Sequence, residues 1–170
     1  MMKKLLFILC FLQISYNGFS QSNTSKDSEP AYLTNLNIPD FSLAKAPDST
    51  SFSNKDLHKK KATGLMIGSP ECGHCQHTTT VLEQNISHFK DAQILMTTWL
   101  PYSEMLKFYK DYKIANYPQI TMAWDQKDFF LPYYHVRSYP DLVVYDKKGK
   151  YVKSFSGDIN MQEVWQAMGE

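Results

Sequence analysis

The sequence predicts an α/β domain in which a central mixed sheet carries helices on both faces. Three observations lead there. A short apolar run, Gly64-Leu65-Met66-Ile67-Gly68, reads as a buried strand, and a helical apolar stripe follows it from Thr78 to Phe89. The same alternation of strand and helix repeats downstream. The chain then closes with a hairpin and one more helix, a pattern that builds a sheet covered on both sides. At the junction of the first strand and helix stand Cys72-Gly73-His74-Cys75, on the helix's expected first turn.

Each element has its own signal. Ile38 to Leu43 alternates apolar and polar residues like an edge strand, and Pro47-Asp48 supplies turn chemistry within 45–51. Phe52 opens a return strand, and Lys55 to Lys61 is a basic, exposed approach to the core strand. In a chain of this net charge we read Lys59-Lys60-Lys61 as a solvated turn. After the cysteines, Cys75, Thr79, Leu82, Ile86 and Phe89 recur at helical spacing and should face the sheet. Gln93 to Trp99 is the next strand. Pro101 and Ser103 start a second helix with Met105, Phe108, Tyr109 and Tyr112 as its buried stripe. Gln119 to Trp124 is a further strand, and 125–135 a short helix interrupted at Pro132. Leu142 to Tyr145 and Tyr151 to Ser154 pair around the turn 146–150, Gly157 ends the pair, and Met161 to Met168 forms the closing helix.

The first 20 residues read as an address. Lys3 and Lys4 precede an apolar run from Leu5 to Ile14, and Gly18 and Ser20 place small residues before a cut at Gln21. That is the layout of a secretory signal peptide, and the run is too short to span a membrane. An uncleaved anchor and a lipoprotein at Cys10 fit less well, since Leu9 stands where a small residue is expected. Residues 21–37 are polar and read as a flexible leader, and 38–170 as a single domain. We expect a periplasmic or secreted protein with no stable membrane span after cleavage. Cleavage removes two lysines and no acids, turning a formal charge of +1 into −1. With Arg137 as the only arginine, that balance argues against nucleic-acid binding.

Cleavage also removes Cys10, leaving Cys72 and Cys75 as the only thiols. A structural disulfide framework uses more cysteines at wider spacing. One disulfide across two intervening residues closes too small a loop to stabilise a fold much. Chemistry explains the pair better. At a helix start, free N–H groups and the positive end of the dipole stabilise a thiolate, and the thiolate is the nucleophile. Gly73 and His74 lie between the thiols and Glu71 just before them, where they would tune the pair. An imidazolium favours a thiolate, whereas a carboxylate raises its pKa.

The order of elements resembles the thioredoxin superfamily, from about Ile38 to the C-terminus. Cys72-Gly73-His74-Cys75 is similar to the motif of protein disulfide isomerase domains, and Ser138-Tyr139-Pro140 before a strand looks like the family's cis-proline loop. Ile38-Pro39-Asp40-Phe41 and the additional helix and strand between Tyr102 and Asp125 look like the periplasmic TlpA/ResA-like branch. The resemblance implies a thiol-disulfide oxidoreductase acting on protein thiols and disulfides, supplied by an upstream redox partner and needing no cofactor. It implies that Cys72 attacks, that Cys75 resolves the mixed disulfide, and that Tyr139 and cis Pro140 meet the substrate. Two departures stand out. Glu71 replaces the tryptophan usual before the first cysteine, and Met66 occupies the place of a buried acid.

Other readings use the same residues. A zinc site would need two of His74, His77, His88 and His135 beside the cysteines, with no second close pair visible, so we expect no metal. Haem attachment would need histidine at position 76, where Gln76 stands. A thiol peroxidase could use Ser69 and Arg137 around Cys72. A binding module that kept the fold and lost catalysis could use the many tyrosines, most of which read as core.

Overall fold

The computed structural model describes residues 30–169. Seven strands form one sheet in the order β2-β1-β5-β4-β3-β6-β7. Its centre is β3 (Ala62–Ile67), β4 (Ala92–Thr98) and β5 (Ile120–Trp124), which run parallel. Two antiparallel pairs complete it: β1 (Ser42–Lys45) and β2 (Thr50–Ser53) beyond β5, and β6 (Asp141–Tyr145) and β7 (Tyr151–Ser156) beyond β3. Every residue of β3 and β4 is buried, as expected of strands covered on both faces.

Period-two alternation divides the core. Met66, Ile94, Met96, Met122, Leu142 and Val144 face one side, where α2 (Gly73–Gln84), α3 (Tyr102–Asp111) and α5 (Met161–Ala167) bring Cys75, Leu82, Met105, Phe108 and Val164 onto them. Leu65, Ile67, Leu95, Ala123, Val143 and Tyr145 face the other, under Phe130 and Tyr134 of α4 (Phe130–Tyr134). The α/β architecture with a mixed sheet and helices on both faces is therefore present.

Local differences from the expected elements have physical causes. The strand sought at 38–43 begins at Ser42, where Ser53 of β2 first offers it a partner. Phe41 is buried instead by ring contacts with Phe52 and Phe130. The helix after the cysteines stops where the Asn85 amide donates to Val81 O, and a 3₁₀ turn (Ile86–Phe89) carries the same apolar face onward. Pro132 lies inside α4 rather than interrupting it. It occupies the first turn, where an N–H has no helical acceptor and its absence costs nothing.

Residues 30–37, expected to belong to the leader, are mostly exposed but touch the domain through Tyr32 and Leu36. They include a helical turn, α1 (Ala31–Thr34), whose Tyr32 ring lies 5.3 Å from those of Tyr134 and Tyr151. Tyr151 N donates to Leu36 O at 2.7 Å, and Ile38 N to Gly149 O. Aromatic area decided this, and polar composition concealed it. The expected signal peptide and the rest of the leader lie outside the described residues. Among the described residues, no helix is long and apolar enough to cross a membrane.

Candidate active site

The site forms where β3 ends and α2 begins. Gly68 N donates to Thr97 O at 3.0 Å, prolonging the β3–β4 ladder by one bond before the chain turns. Ser69 then organises the turn: its carbonyl accepts from Cys72 N and its hydroxyl from Glu71 N. From the other side, the Gln76 amide donates to Pro70 O at 2.9 Å. These bonds leave Cys72 as the N-cap of α2, half-buried over the free N–H groups of the first turn. Cys75 lies one turn inward and is only 2 % exposed.

The two thiols differ sharply. Burial acts to raise the Cys72 pKa, but the N–H of Cys75, the Cys75 thiol and the N–H of His74 outweigh it, and the net shift is downward. No N–H closes a full capping bond to the neutral sulfur, so the gain belongs to the thiolate. For Cys75, burial dominates. It pushes the thiol up to about 12, aided by the neighbouring Cys72 and opposed by the Ser69 N–H. The surroundings explain this, since Met66, Met96, Phe108 and Met122 line a cavity of ≈ 20 Å³ beside Cys75. That is room for about one water among largely apolar walls.

Tyr139-Pro140 approaches from the start of β6. Its peptide bond is cis, and the Cys72 thiol donates to Tyr139 O at 3.8 Å. The Tyr139 ring packs on Trp99 at 4.8 Å, and the Trp124 indole donates to Trp99 O. Pro140 is buried beside Gly68 and Cys75.

Cys72, Cys75, Tyr139 and Pro140 thus converge, while Glu71, Gly73 and His74 lie exposed at the helix start. His74 reaches Cys72 through its backbone N–H. Glu71 is exposed beside this turn, where water screens a carboxylate. Ser69 spends its hydroxyl on the turn, and Arg137 lines a different cleft, with Tyr32, Asp141 and Ser156. His88 stacks on Trp165 at 4.1 Å. Among the described residues, no three His, Cys, Asp or Glu side chains gather as a metal site.

Three contributors escaped the sequence reading: Gly68, Gln76 and Trp99. A Cβ on Gly68 would lie 2.9 Å from Cys75 Sγ, a close approach that only glycine permits. A glycine closing a buried strand just before a cysteine pair was the available signal. Gln76 and Trp99 act through contacts across the fold and left no local pattern.

Solved structures share this fold. The pneumococcal exposed lipoprotein thioredoxin from Streptococcus pneumoniae aligns with a TM-score of 0.61 at 24% identity, over 77% of this chain and 98% of its own. A secreted disulfide oxidoreductase of Mycobacterium tuberculosis aligns at 0.63 and 16% identity, over 76% and 94%. DsbF of the same organism, solved in mixed oxidised and reduced forms, aligns at 0.63 and 19%, over 76% and 92%. This chain has a thioredoxin-like fold. No protein-family model and no curated protein matches the sequence. The fold carries a cysteine pair at its strand–helix junction, consistent with disulfide exchange.

Proposed function

We propose that this chain is an exported thiol-disulfide oxidoreductase of the thioredoxin superfamily, with a layout like that of the TlpA/ResA-like branch. The observation that carries the reading is the asymmetry of the pair. Cys72 is accessible with its pKa lowered, and Cys75 is buried with its thiol pushed up to about 12.

The Cys72 thiolate attacks one sulfur of a substrate disulfide. A mixed disulfide forms, and the departing substrate thiolate takes up a proton. Cys75 then loses its proton and attacks the Cys72 sulfur, closing Cys72–Cys75 and releasing the second substrate thiolate. The substrate gains two electrons from the pair, and its two thiolates are protonated by the proton that Cys75 gives up and the one shed to solvent when Cys72 ionised. An upstream dithiol restores the pair, and the reverse sequence oxidises a substrate dithiol. Tyr139 and Pro140 border the exposed sulfur and form the contact surface for substrate. His74 favours the thiolate through its backbone N–H. No cofactor enters these steps.

The test is the behaviour of single mutants. Cys75→Ser should accumulate mixed disulfides with protein substrates, and Cys72→Ser should neither turn over nor trap. Equal trapping by both would overturn the assignment. Export is checked separately: intact mass of the soluble protein should show a chain beginning at Gln21.

A further inference from the structure

A second charged feature lies at the far end of the sheet from the cysteines. β3 leads from Ala62 toward the redox pair, so the turn before Ala62 is about 20 Å away, at ~3.3 Å per strand residue. There a cleft of ≈ 400 Å³ is lined by His58, Lys59, Lys60, Lys61, Lys147 and Lys148, with no carboxylate in its walls. Lys59, Lys60, Lys147 and Lys148 are exposed. Two turns distant in sequence supply these lysines, and the antiparallel pairing of β3 with β6 sets them side by side.

The cluster is built on a rigid base. Gln93, 8% exposed on β4, accepts from His58 N at 2.8 Å and donates to His58 O and to the Thr63 hydroxyl. Its amide clamps the loop that carries Lys59 to Lys61. Across the cleft, Asp146 Oδ1 accepts from the N–H groups of Lys148 and Lys150 and so fixes the second turn. Asp56 is likewise engaged with Ser53, and exposed Asp91 before β4 tempers the charge. The opposite pole is acidic in character: Glu71, Glu104 and Asp111 surround Lys107 in the groove beside the helix start. Among the described residues, the two clefts thus differ in the sign of the charge that lines them.

We propose that the lysine pole docks this protein on an anionic phospholipid bilayer, with the redox pair facing outward. The ammonium groups would meet lipid phosphates, and the acidic pole would be turned away by the same field. The chemistry favours a surface over a discrete anion site, since the ammoniums are exposed and no guanidinium enters the cleft. It also favours lipid over nucleic acid, because the cleft walls hold no aromatic ring for base stacking other than His58. This inference is independent of the exchange chemistry.

The test uses the chain from Gln21, which contains every strand and helix described. Co-sedimentation with phosphatidylglycerol-containing vesicles should show binding that fades with added salt and is absent on pure phosphatidylcholine. Each lysine is worth ~1 kcal/mol near such a surface, or about fivefold in partitioning. Lys59→Gln, Lys60→Gln and Lys148→Gln together should weaken binding about a hundredfold while disulfide exchange is unchanged. The same charge change at Lys110, Lys113 and Lys127 should cost far less. Four results would overturn the proposal: no vesicle binding, equal losses in both triple variants, displacement by millimolar inorganic phosphate at constant ionic strength, or tighter binding to an oligonucleotide.

Discussion

Gly68 offers a direct test of how the site is held. Replacing it with alanine places a Cβ 2.9 Å from Cys75 Sγ, where ordinary contact begins at 3.4 Å, so something must give by about half an ångström. The backbone resists, because Gly68 N is bonded to Thr97 O. The sulfur is therefore what moves, and the ≈ 20 Å³ cavity beside it can take part of the shift. Overpacking a core costs about 1–3 kcal/mol, and the cavity puts this case toward the lower end. The larger effect falls on chemistry, since the displaced atom is the one proposed to resolve the mixed disulfide. A misplacement of ~1 Å can cost on the order of a hundredfold in rate, so half that distance implies about tenfold. Gly73→Ala is the control: its Cβ meets nothing within 4 Å, and its effect on stability should be within ~1 kcal/mol. Urea unfolding of the reduced proteins and stopped-flow release of a mixed-disulfide substrate would measure both quantities. If Gly68→Ala and Gly73→Ala matched in stability and release rate, the argument from close approach would be wrong.

Further expectations concern titration and redox poise. Near neutral pH, iodoacetamide should label Cys72 in the native reduced protein and spare Cys75; mass mapping that finds equal labelling would refute the asymmetry. Because the Cys75 pKa is raised to about 12 in the folded protein, the unfolded chain loses that proton first. Stability of the reduced form should fall as pH climbs from ~8.5 toward 12, by on the order of 4 kcal/mol at most. Cys72 has the opposite sign: its lowered pKa adds stability as pH rises through the folded value, complete above the unfolded one. Burial raises Asp141 to about 6, so the unfolded carboxyl ionises first and stability declines between pH ~4 and 6. Asp141→Asn should recover roughly 1–2 kcal/mol at neutral pH, allowing for screening, and nothing below pH ~4. Identical pH profiles for the two proteins would count against this. His74→Pro should lower the reduction potential by tens of millivolts, ~30 mV being ~1.4 kcal/mol, in glutathione equilibration; an unchanged value would leave His74 a spacer. Glu71→Gln should leave the Cys72 pKa unaltered, as followed by thiolate absorbance.

The sequence alone determined the alternation of strands and helices and the position of the cysteine pair at a strand–helix junction. These are local or periodic properties: a buried strand must be apolar throughout, a helix on a sheet must repeat its apolar face, and a tight hairpin needs its Asp and Gly. Pro140 before a strand was legible for the same reason. Helical spacing already turned Cys75 toward the sheet; only the tertiary structure decided how far it is desolvated, because that depends on Met66, Met96 and Met122 arriving from three strands. Glu71 stands beside Cys72 in the chain, yet it is exposed, which weakens a charge, and exposure is not a sequence property. Gly68 resembled an ordinary strand end until Cys75 was folded against it. Residues 30–37 read as leader by composition, although Tyr32 is seated among Tyr134 and Tyr151 from the far end of the chain. The lysines of 59–61 read as a solvated turn until strand pairing brought Lys147 and Lys148 beside them. Contacts between residues remote in sequence set burial, and burial sets the chemistry of each group, so those features appear only once the chain is folded.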